Sequence, residues 1–314
     1  MLSGVGPKTH LESKNIECIV DSPAVGQYLK DHALIPVTIY GNEPGPLNDA
    51  VRQFQAIEYL YNRTGYLSEI NIADVISFYS TKIFSLYPEF QNHLILVPKN
   101  STAYAREIFK RFMFKPSVID SIVEQTRHNA LYAFLFILLH PYSYGNITLK
   151  SSNSKDHPLI YPNYFDDDRD VSAVARGIKK LTTIVNTKYF KQIKGHVGRM
   201  KCPDCDNLIL DSDGYWKCIA RNAVVTLYHP VGTARMGTNI QESVVSSQLK
   251  VHNIDKLRVI DASVMPSTVS GNTNGPVIMI AERAADMIKN DYGVNPKESR
   301  NESLIKKFLQ LLSQ

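Results

Sequence analysis

The sequence has no apolar stretch long enough to cross a membrane. Its longest apolar run, from Ala133 to Leu139, falls far short of the ~18 residues that a membrane-spanning helix needs. The N-terminal residues also lack the features of a secretory signal peptide, because Gly4, Gly6 and Pro7 interrupt them and no apolar segment follows. We therefore expect no membrane span, and we find no export signal in the chain.

The sequence also lacks a large excess of charge of one sign. Its 314 residues include 35 Lys and Arg and 30 Asp and Glu, which gives a formal net charge of +5. The basic residues are scattered among acidic ones and form no stripe with aromatic residues, so we expect no nucleic-acid partner. Apolar residues make up 44% of the chain, an ordinary globular composition. The length predicts roughly two domains.

Cysteine is scarce, and three of the four cysteines lie close together in the sequence. Cys202 and Cys205 form a C-x-x-C pair, which with Cys218 and His229 would make a possible zinc site. The alternative is a local disulfide, for example between Cys205 and Cys218. Such a bridge would contribute about 3 kcal/mol to stability and would indicate an oxidising compartment.

Apolar residues recur at helical spacing in four parts of the chain. Acidic residues stand at the start of one part, which suits the positive end of a helix dipole, and prolines suit the first turn of two others. The predicted helices run from Asp49 to Tyr61, from Pro116 to Asn129, from Val171 to Val185 after the acidic triplet Asp166–Asp168, and from Pro276 to Ile288.

Short apolar runs between turn-forming residues predict strands. The predicted strands are Ile16–Val20, Ile70–Ser80, Leu131–His140 and Leu257–Asp261. The third of these is followed by turn residues and by the alternating segment Ile147–Lys150. That pattern fits either a β-hairpin or a connection between separate strands.

His229 is the first candidate for chemistry. Because it directly precedes Pro230, it is disfavoured in a helix and is expected at a strand end or in a loop. Gly232 then allows the backbone to pass close to another group. Imidazole is the side chain best suited to accept a proton near neutral pH. Taken alone, the segment also fits a histidine with a structural role.

A second candidate region runs from Leu257 to Pro276. A predicted strand ends in Asp261-Ala262-Ser263, and the loop Gly271–Gly275 leads into a predicted helix. A helix start after a glycine-containing loop can bind polar or anionic ligand groups. Many α/β proteins contain such a turn, so this segment alone is a weak signal.

Together the two regions resemble one family. Residues 229–237 (HPVGTARMG), 257–266 (LRVIDASVMP), 270–276 (SGNTNGP) and 279–288 (MIAERAADMI) are similar, in order and spacing, to the C-terminal motifs of the glucose–methanol–choline (GMC) oxidoreductases. The resemblance is strongest to the animal FAD-dependent glucose dehydrogenase-like branch.

Upstream segments resemble the same family. Residues 1–7 (MLSGVGP) resemble the end of its second signature, and residues 25–32 (VGQYLKDH) resemble its VGxNLxDH element. Residues 213–218 (DGYWKC) are similar to a segment of the animal branch whose partner cysteine falls at Cys205. The resemblance thus favours a Cys205–Cys218 disulfide, and with it an extracellular or secreted location.

The resemblance implies an α+β or α/β fold. Incomplete segments of a Rossmann-like FAD-binding domain would flank a substrate domain built on an antiparallel sheet with helices. The implied bounds are 1–45 for a segment of the FAD-binding domain, 46–225 for the substrate-binding domain, 226–292 for the C-terminal FAD-binding segment with the active-site loop, and 293–314 for a tail.

The resemblance also implies a reaction. In such enzymes an alcohol or sugar hydroxyl gives a hydride to flavin N5 while a base accepts the hydroxyl proton. His229 takes the place of the base, and Asn272 takes the place of the residue that hydrogen-bonds the same hydroxyl. FAD is the implied cofactor, no metal is implied, and the electron acceptor stays open. The implied FAD contacts are Asp261, Ala262, Thr273, Asn274 and Pro230.

One family motif is absent from the sequence. No G-x-G-x-x-G loop, which grips the dinucleotide in such folds, is present, and Met1 matches an internal residue of a family signature. We therefore expect the chain to be a portion of a longer enzyme and to be inactive alone. The alternative is a non-catalytic remnant or binding module that cannot hold FAD by itself.

Overall fold

The structure is a computed structural model that describes residues 1–42, 49–64 and 75–294. The chain divides into two compact units. The first unit contains Met1–Leu29, Asn146–Tyr161 and the residues from Pro230 onward, and the second contains Lys30–Gly145 and Pro162–His229. The predicted tail beyond residue 294 and the start of the predicted strand at Ile70 lie outside the described residues.

Ten strands and eight α-helices are described. The strands are β1 (Val5–Gly6), β2 (Val20–Asp21), β3 (Ala33–Gly41), β4 (Val75–Tyr79), β5 (Phe90–Val97), β6 (Ala130–Leu138), β7 (Asn146–Thr148), β8 (Leu159–Tyr161), β9 (His196–Val197) and β10 (Val225–Thr226). The helices are α1 (Lys8–Ser13), α2 (Asp49–Asn62), α3 (Thr102–Arg111), α4 (Pro116–Thr126), α5 (Asp168–Thr182), α6 (Lys188–Gln192), α7 (Asp213–Ala223) and α8 (Asn274–Asp291).

An antiparallel sheet forms the centre of the second unit. Its strands lie in the order β10-β3-β6-β5-β4, and β9 pairs with β3 beside this path. Strands β3 and β6 pair over their full length, from Ala33 opposite Leu138 to Gly41 opposite Ala130. Every residue of both strands is buried, which explains why their sequences are almost continuously apolar. The predicted antiparallel sheet with helices is confirmed.

Helix α5 packs closely on the phenylalanines of this sheet. The side chain of Asp167 accepts the Arg169 N–H and caps the helix start, as the acidic triplet predicts. Gly177 is required on the packed face, because a Cβ atom there would come within 2.7 Å of the Phe136 ring. The α-helix ends at Thr182 and continues as a 3-10 helix over Thr183–Asn186, so the predicted helical segment reaches Val185 with its last turn in 3-10 form.

A disulfide joins Cys205 to Cys218, with their Cα atoms 5.8 Å apart. It ties the 3-10 turn Pro203–Cys205 to α7, and it confirms the predicted bridge. The disulfide uses two of the sulfurs that the zinc alternative required. Within the described parts of the chain, no group of three or more histidine, cysteine or acidic side chains is placed to hold a metal ion.

Two glycines allow close backbone approaches in the first unit. Gly232 has φ of +93°, and an added Cβ would lie 2.3 Å from the Tyr28 carbonyl oxygen. Gly26 has φ of +81°, and an added Cβ would lie 2.4 Å from the Ile147 carbonyl oxygen. Any side chain at either position would be strained by the backbone conformation as well as by the contact. The predicted role of Gly232 is therefore confirmed.

The predicted strand in the first unit is wrong. Leu257–Asp261 is not a strand, since only a single bridge joins Arg258 to Lys250. A strand needs a continuous neighbour, and the described residues supply one bridging residue there. Of the two alternatives for the segment after β6, the structure shows a connection between separate strands, because β7 pairs with β8 while β6 lies in the larger sheet. Helix α8 begins at Asn274, two residues before the predicted start.

The unit boundaries differ from the predicted domain bounds. The first boundary follows Leu29 rather than residue 45, because β3 pairs with β6 along nine residues and so belongs to the sheet of the second unit. The segment Asn146–Tyr161 belongs to the first unit.

Among the helices that the structure describes, none combines the length and hydropathy needed to span a bilayer.

Candidate active site

His229 follows the short edge strand β10. Thr226 of this strand pairs with Ala33, so the segment is fixed to the sheet just before the histidine. Tyr228 adopts a left-handed conformation with φ of 62°, and its N–H donates to Thr226 Oγ1 at 2.8 Å. This tight turn directs the chain out of the sheet and presents a half-buried His229, in a non-helical segment as the sequence predicts.

The carboxylate of Asp31 anchors the backbone of His229. The His229 N–H donates to Asp31 Oδ1 at 3.0 Å. The other oxygen, Oδ2, accepts hydrogen bonds from the hydroxyls of Tyr164 and Thr226. Asp31 is buried, with 7% of its surface exposed, so these donors replace the water that a carboxylate would otherwise bind.

The ring of His32 anchors the ring of His229. The two Nδ1 atoms lie 2.8 Å apart, and the rings meet edge to face at 79°. The other ring nitrogen of His32, Nε2, lies 3.1 Å from the Leu139 carbonyl oxygen. His32 is fully buried. Asp31 thus fixes the backbone of His229, and His32 fixes its ring.

The surroundings keep His229 in its neutral form. Burial lowers the pKa of the His229 ring below its ordinary value, and the nearby Asp31 carboxylate opposes only part of this shift. Burial also lowers the pKa of His93, and the charge of a protonated His229 adds to that effect. A neutral ring has a free lone pair, so His229 is prepared to accept a proton near neutral pH.

Asp261 and Ala262 form a tight turn in the first unit. Asp261 Oδ1 accepts the Ser263 N–H at 2.8 Å and the Ser263 hydroxyl at 2.5 Å. The carboxylate thereby caps a 3-10 turn that spans Ala262–Val264. Because the Asp261 carboxylate is hydrogen-bonded within its own turn, a ligand at this turn would meet backbone N–H and C=O groups rather than a carboxylate free of partners.

The start of α8 is open. Thr273 occupies the cap position and is buried, whereas Asn272 and Asn274 are exposed. An added Cβ on Gly275 would meet no atom within 4 Å. The first N–H groups of a helix have no acceptor inside the helix, and they carry the positive end of its dipole. The open turn therefore offers room and hydrogen-bond donors for an electron-rich group.

The predicted site residues are divided between the units. His229 belongs to the second unit. The remaining predicted residues, which are Pro230, Asp261, Ala262, Asn272, Thr273 and Asn274, belong to the first unit. The sequence reasoning missed Asp31 and His32 as partners of His229. They are the last two residues of the VGQYLKDH segment, which carried the family resemblance but no assigned role.

The second unit also has an open cavity of about 440 Å³ that contains none of the predicted site residues. Glu89 lies in its wall and is paired with Lys82 and Arg176 at 3.2 and 3.1 Å. Burial raises the pKa of Glu89, but hydrogen bonds from Thr81 and Ser80 outweigh it and bring the pKa to about 2. Within the wall, the charge of Glu89 is therefore paired with two basic side chains, which indicates a structural role for this carboxylate.

Comparison with known proteins places the site in context. Residues 141–281 match the family model for GMC oxidoreductases. The ecdysone oxidase of Bombyx mori is 37% identical over 94% of this chain and 43% of its own length. The glucose dehydrogenase (FAD, quinone) of Drosophila melanogaster is 31% identical over 93% of this chain and 45% of its own.

Solved structures agree with these relatives. A formate oxidase variant of Aspergillus oryzae superimposes with a TM-score of 0.75 at 26% identity, over 93% of this chain and 52% of that one. The chain spans about half the length of the curated relatives that it matches.

Proposed function

Because the chain belongs to the GMC oxidoreductases, we propose that it is part of an FAD-dependent enzyme that oxidises an alcohol or sugar hydroxyl, with His229 accepting the hydroxyl proton. The observation that supports this role is the double anchoring of His229. Asp31 holds its backbone, His32 holds its ring, and burial keeps the ring neutral. A neutral, immobilised imidazole is what a general base requires.

FAD, when bound, supplies the acceptor for the hydrogen and the two electrons that leave the substrate carbon. The residues proposed to hold it are those at the two open features of the first unit. The turn at Asp261 and Ala262 offers backbone groups, and the start of α8 at Thr273 and Asn274 offers N–H donors beside open space. Pro230 is proposed as a further contact on the family resemblance alone.

Asn272 is proposed to hydrogen-bond the substrate hydroxyl. An amide can donate to the hydroxyl oxygen and accepts no proton at neutral pH, so it orients the oxygen without competing with the base. His229 then removes the proton, while Asn272 retains its hydrogen bond to the oxygen. The exposed position of Asn272 in the loop before α8 is compatible with contact to a small molecule.

The names of the relatives suggest the substrates to try. Ecdysone, glucose and a simple primary alcohol represent the ecdysone oxidases, the glucose dehydrogenases and the alcohol dehydrogenase of Pseudomonas putida. Oxygen and a soluble quinone are the electron acceptors to compare.

The test uses flavin-loaded protein that contains this chain. Anaerobic mixing with each substrate measures the rate at which the flavin is bleached. Because no electron acceptor is present, this rate reports only the reduction of the flavin by the substrate. We expect His229→Ala to slow bleaching by about 10²- to 10⁴-fold, the usual contribution of a general base. The control is His196→Ala, since His196 is exposed on β9. A His229→Ala rate within threefold of wild type would contradict the proposal.

The disulfide supports folding in an oxidising compartment, and we propose an extracellular or secreted location. The test is thiol alkylation of protein extracted from its native cells under acid quenching. Formation of the bridge in the cell leaves two alkylated cysteines, Cys18 and Cys202, after complete denaturation. Alkylation of all four would contradict the proposed location.

A further inference from the structure

We propose that His32 is a positioning residue that fixes the tautomer of His229, so that Nδ1 of His229 carries the ring proton and Nε2 is the nitrogen that receives the substrate proton. The inference rests on the proposed role of His229 as the base. It concerns which nitrogen acts, and it assigns a function to a residue of the VGQYLKDH segment.

The argument starts at the carbonyl of Leu139. A carbonyl oxygen can only accept a hydrogen bond, and it lies 3.1 Å from His32 Nε2. His32 Nε2 must therefore carry a proton. His32 is fully buried, and burial disfavours a charged imidazole. In a neutral imidazole only one nitrogen is protonated, so His32 Nδ1 presents a lone pair.

The second step passes from one ring to the other. His32 Nδ1 and His229 Nδ1 are 2.8 Å apart, a separation that requires one proton between them. Because His32 supplies the lone pair, His229 supplies the N–H. With its proton on Nδ1, neutral His229 has its own lone pair on Nε2, and the choice of tautomer is set by the backbone carbonyl of Leu139.

A neutral group that is hydrogen-bonded to the His229 ring affects the pKa of that ring differently from a charged group. A carboxylate placed against Nδ1 would fix the same tautomer, but it would also stabilise the protonated ring and raise its pKa. In this site the carboxylate of Asp31 contacts the backbone N–H of His229, and an uncharged imidazole contacts the ring. The arrangement orients the base while leaving it neutral, in agreement with the lowered pKa of His229.

The direct test is the position of the ring proton in the folded chain without flavin. Protein labelled with ¹⁵N in its histidines is studied by long-range ¹H–¹⁵N correlation NMR, at a pH where His229 is neutral. The signals of His229 are assigned by their loss in His229→Gln. We expect a protonated Nδ1 and an unprotonated Nε2. A proton on Nε2 of wild-type His229 would overturn the proposal.

Two substitutions at position 32 separate orientation from packing. His32→Asn retains an oxygen that can accept the Nδ1 proton, and we expect it to preserve the tautomer. His32→Leu has a similar volume and no acceptor, and we expect His229 to become a mixture of both tautomers. Tyr164→Phe is the matched control, since it removes one hydrogen bond from Asp31 and leaves the ring pair intact. It should keep the wild-type tautomer.

The outcomes are decisive even if one variant does not fold. Retention of the Nδ1 proton alone in folded His32→Leu would contradict the proposal, and so would loss of that tautomer in His32→Asn. If His32→Leu is unfolded, the wild-type spectrum and His32→Asn decide. The spectra are independent of catalysis. If His229→Ala abolishes flavin reduction but the wild-type proton lies on Nε2, only this inference is rejected. If the proton lies on Nδ1 but His229→Ala leaves flavin reduction unchanged, only the proposed function is rejected.

Discussion

His229 and the residues proposed to contact FAD are held in place in different ways. In the second unit, His229 is anchored by His32 and Asp31, which lie 197 and 198 residues away in the sequence. In the first unit, Asp261 is held by Ser263, two residues along the chain. The proposed base depends on long-range packing, whereas the proposed cofactor contacts depend on a local turn and a helix start.

The difference follows from what each group has to do. A proton acceptor must present one lone pair in one direction, so both its backbone and its ring need fixed partners. A turn that presents backbone groups keeps its geometry as long as its own hydrogen bonds persist. We therefore expect substitutions in the two regions to have effects of different size, and the following predictions run from the largest to the smallest.

The strongest way to break the long-range anchor is Asp31→Ala. The change leaves the His229 N–H and the hydroxyls of Tyr164 and Thr226 without their acceptor in a buried site. Because each buried group left without a partner costs about 1–3 kcal/mol, we expect a loss of about 3–5 kcal/mol in the free energy of unfolding. Urea denaturation measures it. Tyr164→Phe removes only one of the hydrogen bonds to Asp31 and should cost about 1 kcal/mol. Equal losses in the two variants would contradict the view that Asp31 anchors several groups at once.

In the first unit, Gly232→Ala tests the close approach between Gly232 and the backbone of Tyr28. The new Cβ would lie 2.3 Å from the Tyr28 carbonyl oxygen, on a backbone with φ of +93°. We expect a loss of about 2–4 kcal/mol, measured by the same denaturation. Gly275→Ala is the matched control, because no atom lies within 4 Å of its added Cβ. If both substitutions proved equally harmless, the close approach would be disproved.

The local turn is tested by Asp261→Ala. The substitution removes the two hydrogen bonds that cap the 3-10 turn, and a lost cap typically costs about 1 kcal/mol. We expect a decrease of that size in unfolding free energy, well below that of Asp31→Ala. A decrease as large as that of Asp31→Ala would remove the contrast between the two regions.

The smallest expected effect is a pH dependence of stability from His229. Its pKa is lower in the folded protein than the ordinary value of 6.5, so the unfolded chain binds more protons as the pH falls through that value. Acid therefore destabilises the folded state. We expect wild type to lose stability relative to His229→Gln as the pH decreases from 7 to 5, in paired urea titrations. An opposite slope would show that His229 is more readily protonated when folded.

Much of the fold could be predicted because it is encoded locally. The helix at Pro116 and the capped helix after Asp166–Asp168 show their apolar spacing and start signals in the sequence. The segment 257–261 failed for the opposite reason. Its apolar residues fit a strand, but a strand exists only where a neighbour pairs with it, and sequence periodicity carries no information on neighbours.

The candidate site shows the same limit. His229 could be recognised from its motif and its position before Pro230. The roles of Asp31 and His32 could not, because both arise from contacts across almost 200 residues. The assignment of Asn146–Tyr161 to the first unit could not be predicted either. The sequence pattern after β6 is the same whether the chain turns back as a hairpin or continues into the other unit.

The central claim is that His229 accepts the substrate proton, and the rate of flavin reduction as a function of pH tests it most directly. Flavin-loaded wild-type protein that contains this chain is compared with His229→Ala under anaerobic conditions. We predict that the wild-type rate falls on the acid side with an apparent pKa below 6.5. In His229→Ala, the rate should be at least about 10²-fold lower and that acid limb should be absent. A His229→Ala profile that kept the same acid limb and a similar rate would contradict the claim.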